Sequence, residues 1–151
     1  MREEDVTKAI LKWLIKNAWE IVVFDFPQSG TGKFLHPDDD KREKNKGSIN
    51  PDIVAVKNQV CVFFENKNRF YLPDFLKINE LRTTTNYIFS IEQLLKNYSM
   101  VNEKYYGVGL PLKCYSKRVK EHTQLVDFVI GVDENKAVSI LYNLDIDKLN
   151  F

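Results

Sequence analysis

The chain has 151 residues, of which 44% are hydrophobic and 28% charged, with a formal net charge of +1. That length can bury roughly two-thirds of the unfolded surface in one core, so one domain over residues 1–151 is expected. Nothing approaches the ~18 apolar residues of a membrane span, the start MREEDVTK lacks a secretion signal's apolar centre, and Cys61 and Cys114 form no spaced pair. A membrane protein and a disulfide scaffold are thereby excluded, and a cytoplasmic location is expected.

Residues 3–17 place Val6, Ile10, Trp13, Leu14 and Ile15 at helical spacing, with acidic residues at the positive end of the helix dipole. Residues 21–26, IVVFDF, read as a strand stopped by Pro27. The segment 28–50 is polar, Gly-containing and densely charged. A connection this long is uncommon in a compact domain and predicts a mobile or ligand-ordered loop. Residues 52–56 and 60–64 are strand runs separated only by Lys57, Asn58 and Gln59, which predicts an antiparallel hairpin. Beyond Pro73, residues 74–81 and 91–98 predict helices, 105–112 a strand and 118–126 a helix. Strands at 128–132 and 137–143, joined by the turn 133–136, complete the chain. This alternation predicts an α/β fold with a mixed central sheet flanked by helices.

The hairpin carries the chemistry. Side chains alternate along a strand, so Cys61, Phe63, Glu65 and Lys67 share one face. If Asn58 and Gln59 make the tight turn, Lys57 faces Val60 and Asp52 faces Glu65. A turn shifted by one residue still leaves Asp52 within about two positions of Glu65. Two carboxylates and an ammonium thus meet at one end of a largely apolar ribbon. Adjacent carboxylates need a cation between them; Lys67 supplies part of that charge and a divalent ion the rest. Oxygen-only donors suit Mg²⁺, or Mn²⁺ as its substitute, and not zinc. Such an ion polarises a phosphoryl group and lowers the pKa of a water, which is what phosphodiester hydrolysis requires.

Pro51–Asp52, twelve intervening residues and then Glu65–Asn66–Lys67 resembles the signature of the PD-(D/E)xK nucleases, a group that includes restriction endonucleases, archaeal Holliday-junction resolvases and VRR-NUC nucleases. The resemblance covers roughly residues 3–115. It implies a restriction-endonuclease-like core in the order αβββαβ, metal held by Asp52, Glu65 and the carbonyl of Asn66, and Lys67 assisting the attacking water. It also implies a further catalytic carboxylate on the first helix, where Glu3 is preferred and Glu4 stands close behind. The activity implied is that of a Mg²⁺-dependent DNA endonuclease of restriction type. A structure-selective Holliday-junction resolvase or repair nuclease is the alternative, and a non-catalytic nucleic-acid-binding member of the fold another. Cutting a duplex takes two sites, so a homodimer or a partner subunit is implied.

Residues 57–120 carry a net charge of +6 and residues 121–151 a net −4, which turns the middle of the fold toward a polyanion. Candidate DNA contacts are Gln28, Ser29 and Lys33 in the long loop, Arg69 just beyond the Glu-x-Lys strand, and Lys117 and Arg118 in the basic segment near Tyr105, Tyr106 and Tyr115. Gly30–Lys33 is like the end of a phosphate-binding loop, but Pro27 and Phe34 stand where Gly and Ser or Thr are needed, so no nucleotide cofactor is expected. His36 and His122 are isolated and read as surface residues. Asp38–Asp40 abuts KREKNK and reads as a solvated charge run. Gln93 and Tyr98 read as helix residues outside the site.

Overall fold

The computed structural model describes residues 1–25, 32–38 and 47–151. Its first element is helix α1 (Glu3–Lys16), with three acidic residues in the first turn and Lys16 in the last, both matched to the helix dipole. The Asp5 carboxylate accepts the backbone N–H of Arg2 at 3.1 Å, satisfying a donor the helix cannot. Asn17 closes the other end by donating to the Trp13 carbonyl at 2.8 Å, and Ala18 turns the chain at φ +66. Strands β1 (Glu20–Phe24), β2 (Ile53–Lys57) and β3 (Val60–Asn66) follow, then helices α2 (Leu72–Thr83) and α3 (Ile88–Leu94), then strand β4 (Glu103–Pro111). A short helix α4 (Lys117–Lys120) and strands β5 (Phe128–Val132) and β6 (Val138–Asn143) end the chain.

Among the described residues the six strands form one mixed sheet in which spatial order follows chain order, β1 to β6. The β3–β4 and β4–β5 pairs are parallel and the other three antiparallel. The β2–β3 register pairs Lys57 with Val60 and Ile53 with Phe64, as the two-residue turn predicts. Asn58 occupies the left-handed region at φ +54, which asparagine tolerates better than most side chains.

The sheet is covered on both sides, which is why β3 is buried from Cys61 to Asn66 and β5 along its whole length, without the alternation of a half-solvated strand. Ile53, Ala55, Val62 and Phe64 meet the buried stripe of α1 formed by Val6, Ile10 and Leu14. On the opposite face Val54, Val56, Cys61 and Phe63 meet Phe75, Ile78 and Leu81 of α2 and Ile91 of α3. A polar brace ties the end of this second layer to the sheet. Arg82 Nε donates to Asp127 Oδ1 at 2.7 Å, while Asp127 Oδ2 accepts the backbone N–H of Tyr106 at 2.9 Å. The end of α2 is thereby tied to the start of the β4–β5 pair.

Several expectations change. The helix predicted over 91–98 runs from Ile88 to Leu94, so Tyr98, read as a helix residue, lies beyond its end. Where a helix over 118–126 is predicted, α4 stops at Lys120 and a 3₁₀ turn occupies Thr123–Leu125. The competitors are local: Thr123 Oγ1 donates to the Lys120 carbonyl at 3.1 Å, and His122 Nδ1 lies 2.6 Å from the Arg118 carbonyl. The segment 28–50 is predicted to be a polar loop, yet Leu35 and Ile49 pair backbone to backbone and are both buried in the core. His36, expected at the surface, is half-buried beside Ser48 Oγ at 2.8 Å, and its backbone N–H donates to Ser90 Oγ on α3 at 2.9 Å. Among the described residues no helix is long and apolar enough to cross a membrane.

Candidate active site

Register alone brings Asp52 to Glu65. Asp52 lies just ahead of β2 and its N–H donates to the Phe64 carbonyl at 2.9 Å, which extends the ladder by one rung. Its carboxyl group accepts the backbone N–H of Asn66 through Oδ2 at 2.6 Å, a bond within the site. Glu65 points to the same face of the sheet and is 2% exposed. Asn66, pointing the opposite way, donates its side-chain amide to Thr7 Oγ1 of α1 at 3.1 Å. Opposite Asn66 stands Gly109 of β4, where an added Cβ would fall 2.3 Å from Asn66 Oδ1. The strand therefore fixes the site with its backbone and one face while the other face anchors it to α1.

Lys67 leaves the end of β3 with its N–H on the Gly109 carbonyl at 2.9 Å. Its ammonium lies 3.0 Å from Glu3 Oε1 and 3.4 Å from Glu65 Oε1. Glu3 comes from the first turn of α1, 64 residues away in sequence. The structure brings Glu3 to Lys67 and turns Glu4 outward, where it pairs with Lys8 one helical turn on.

The electrostatics follow from burial. Desolvation first, and the neighbouring Glu65 second, push the Asp52 carboxyl up to about 8. Burial also raises Glu65, against the pull of Lys77 and Lys67. For Lys67 burial acts downward, but Glu65 and Glu3 outweigh it and hold the ammonium above its ordinary value. The pocket is thus two carboxyl groups that resist ionisation together, beside a lysine that stays charged.

Two residues that the sequence reading did not single out belong here. Lys77 Nζ of α2 lies 2.6 Å from Glu65 Oε1. Asp74, one turn earlier, is buried, its pKa raised by desolvation against Lys67 and Lys77. Both sit one position ahead of the buried stripe residues Phe75 and Ile78. Charges bordering an apolar stripe on a helix that must fold back onto β3 were the available signal.

The remaining candidates are scattered. Gln28 and Ser29 lie outside the described residues, and Lys33 is exposed. Arg69 is exposed on the turn after Lys67, and the Arg118 guanidinium stacks 5.0 Å above the ring of Phe70 on that turn. That contact brings the basic segment of Lys117 and Arg118 beside the strand end that carries Lys67. Tyr98 donates to Glu20 at 3.2 Å, beside the opposite end of β2, and takes no part in the site.

Do these residues suit a divalent ion? Glu65 Oε2 is buried and has no hydrogen-bond partner among the described residues, an arrangement costly for a carboxylate unless a cation meets it. The donors are all oxygen, which fits Mg²⁺. Among the described residues no three His, Cys, Asp or Glu side chains converge to hold an ion. An ion would therefore draw on Asp52, Glu65 and backbone oxygen, with water completing its shell, the usual manner of Mg²⁺ binding.

No family model matches the chain, and no curated protein matches it in sequence. Among solved structures the chain is similar to an XisH family protein from Nostoc punctiforme PCC 73102, at 18% identity over 89% of this chain and 96% of that one, with a TM-score of 0.42. At that level the likeness transfers no residue role and no activity.

Proposed function

We propose that the protein is a Mg²⁺-dependent endonuclease that hydrolyses phosphodiester bonds in DNA, and that its mode is that of a restriction-type enzyme. The observation that carries this reading is the convergence of Asp52, Glu65 and Lys67 around a buried carboxylate oxygen with no partner among the described residues. A solvent-exposed Glu–Lys pair would need no such burial, and its worth would be only ~0–1 kcal/mol.

Asp52, Glu65 and the Asn66 carbonyl would hold the ion. Mg²⁺, when bound, supplies Lewis-acid polarisation of a phosphoryl oxygen and lowers the pKa of a nearby water. Lys67, kept protonated by Glu65 and Glu3, acts as a fixed donor. It orients the attacking water and offsets the charge that grows on the phosphoryl oxygens. Glu3 holds that ammonium in place and is a positioning residue. Arg69, Lys117 and Arg118 carry the positive charge beside the site, and phosphate contacts of this kind position a nucleic acid without reading its sequence. A duplex cut requires two such sites, so the active form is a homodimer or a complex with a partner subunit.

The test is incubation of supercoiled plasmid with Mg²⁺, Mn²⁺ or EDTA, using wild type and Lys67→Ala. The expected result is metal-dependent nicking or cutting, reduced by about 10²-fold or more in the variant, as for loss of a general acid–base or charge-stabilising group. Resolution of a four-way junction with plasmid left intact would reassign the protein as a structure-selective resolvase. No cleavage of plasmid, branched or single-stranded DNA, together with no metal binding, would overturn the nuclease reading.

A further inference from the structure

Glu65 carries an uneven load. Its Oε1 is approached by two ammonium groups, Lys77 at 2.6 Å and Lys67 at 3.4 Å, while the buried Oε2 has no partner among the described residues. A divalent ion arriving at Glu65 and Asp52 adds two positive charges to a pocket that already holds both lysines. Even with Asp52, Asp74 and Glu3 nearby, the ion and two ammonium groups would then share the one Glu65 carboxylate, and their mutual repulsion in a poorly solvated pocket favours the release of one ammonium.

The two lysines are not equally free to move. Lys67 leaves the strand end, where its backbone is tied to Gly109 and its ammonium has a second anchor in Glu3. Lys77 reaches in from α2, and among the described residues Glu65 is its one ion-pair partner within 4.0 Å. Its side chain is 31% exposed, so solvent is one rotamer change away.

Building on the metal-dependent reading above, we propose that Lys77 is a tethered counter-ion that competes with the divalent cation for Glu65. In the metal-free protein it neutralises the buried carboxylate. When a cation binds, Lys77 yields Glu65 and turns outward to the mouth of the site, where a nucleic-acid phosphate can take it as partner. The device makes metal uptake and phosphate binding favour each other, since each removes a competitor of the other.

The test is titration of the full chain with MnCl₂ or MgCl₂, without DNA, followed by calorimetry, for wild type, Lys77→Met, Lys77→Arg and Asp52→Asn. Loss of a charge-assisted competitor is expected to tighten ion binding in Lys77→Met by about tenfold. Lys77→Arg keeps the competing charge and should bind as wild type does. Unchanged or weaker binding by Lys77→Met, with Asp52→Asn abolishing binding, would overturn the competition while leaving the metal site standing. Failure of both wild type and Lys77→Met to bind would overturn the metal-dependent reading and this inference with it. A wild-type measurement guards against misfolding of the variants. The Lys77 ammonium resonance, assigned by its loss in Lys77→Arg, should be protected in the metal-free protein and lose protection at saturation. Its persistence in the metal-saturated protein would overturn the proposal.

Discussion

Asp52 sits where two physical demands conflict. The β2–β3 ladder fixes its backbone, and burial then makes its negative charge expensive, so its folded pKa of about 8 stands far above the ordinary 3.8. A carboxyl raised in this way stabilises the fold fully below the unfolded value, and that contribution is lost as pH climbs toward the folded one. Glu65 is raised for the same reason and adds with the same sign. Lys67, held above its ordinary value, keeps its contribution throughout this range. Metal-free protein should therefore lose thermal stability between about pH 4 and pH 8, and Asp52→Asn should flatten that slope in a series of melting curves. Gly109 is a second sensitive position, since a methyl group there collides with Asn66 Oδ1 and with Ile10. Gly109→Ala is expected to cost about 1–3 kcal/mol in urea denaturation, the usual range for overpacking. It should also depress cleavage, because the displaced residue is the one whose backbone N–H meets Asp52.

At the scale of elements, the hairpin was the most legible part of the chain. Apolar runs, a turn of known length and the period of two fix which residues face one another, and the observed pairs Lys57–Val60 and Ile53–Phe64 follow from those alone. The first helix was equally readable from its stripe, but not which glutamate enters the site. That choice turns on a rotation of α1 set by Thr7 docking on Asn66, a contact 59 residues distant in sequence. Lys77 and Asp74 were marked only by their place beside the apolar stripe, and the packing of α2 onto β3 is what tells such a helix-border charge from a solvated one. The core role of Leu35 and Ile49 was masked by the polar residues around them. Local propensity likewise failed at 118–126, where Thr123 and His122 divert backbone carbonyls from the helix. The Arg82–Asp127 brace is a tertiary feature of the same kind. Arg82→Ala leaves Asp127, 6% exposed, without its charge partner and should destabilise by about 2 kcal/mol, in the range for charged hydrogen bonds. Asp127→Ala should cost more, because it also strands the Tyr106 N–H, and chemical denaturation of both variants gives the comparison.

For the whole molecule, a buried pair of acids is a reservoir that a ligand can release. If Mg²⁺ binds the native state and not the unfolded chain, saturation at about 100 times the dissociation constant adds about 2.7 kcal/mol. For a chain of this size that is a rise of roughly 5–10 °C in the melting temperature. Thermal melts with Mg²⁺ and with EDTA should differ by that amount for wild type and coincide for Asp52→Asn, while equal shifts in both would place the ion elsewhere. Residues 57–120 carry a net +6 and residues 121–151 a net −4, so on the proposed function DNA affinity should respond to the charge beside Lys67 more than to the net +1.

Because the sheet is laid down in the order in which the chain is written, no strand has to insert between two neighbours already joined. A ribosome releasing this chain delivers each strand to a free edge that is already waiting. The β2–β3 hairpin can close as soon as residue 66 emerges, aligning the acidic pair long before its surroundings exist. Until β4 arrives, however, β3 offers solvent an unbroken edge of Cys61, Val62, Phe63 and Phe64, with α2 and α3 still to be made or docked. An apolar edge of that kind pairs readily with any passing strand. Nascent chains stalled shortly after residue 66 should be the aggregation-prone species, and chains long enough to include β4 should not.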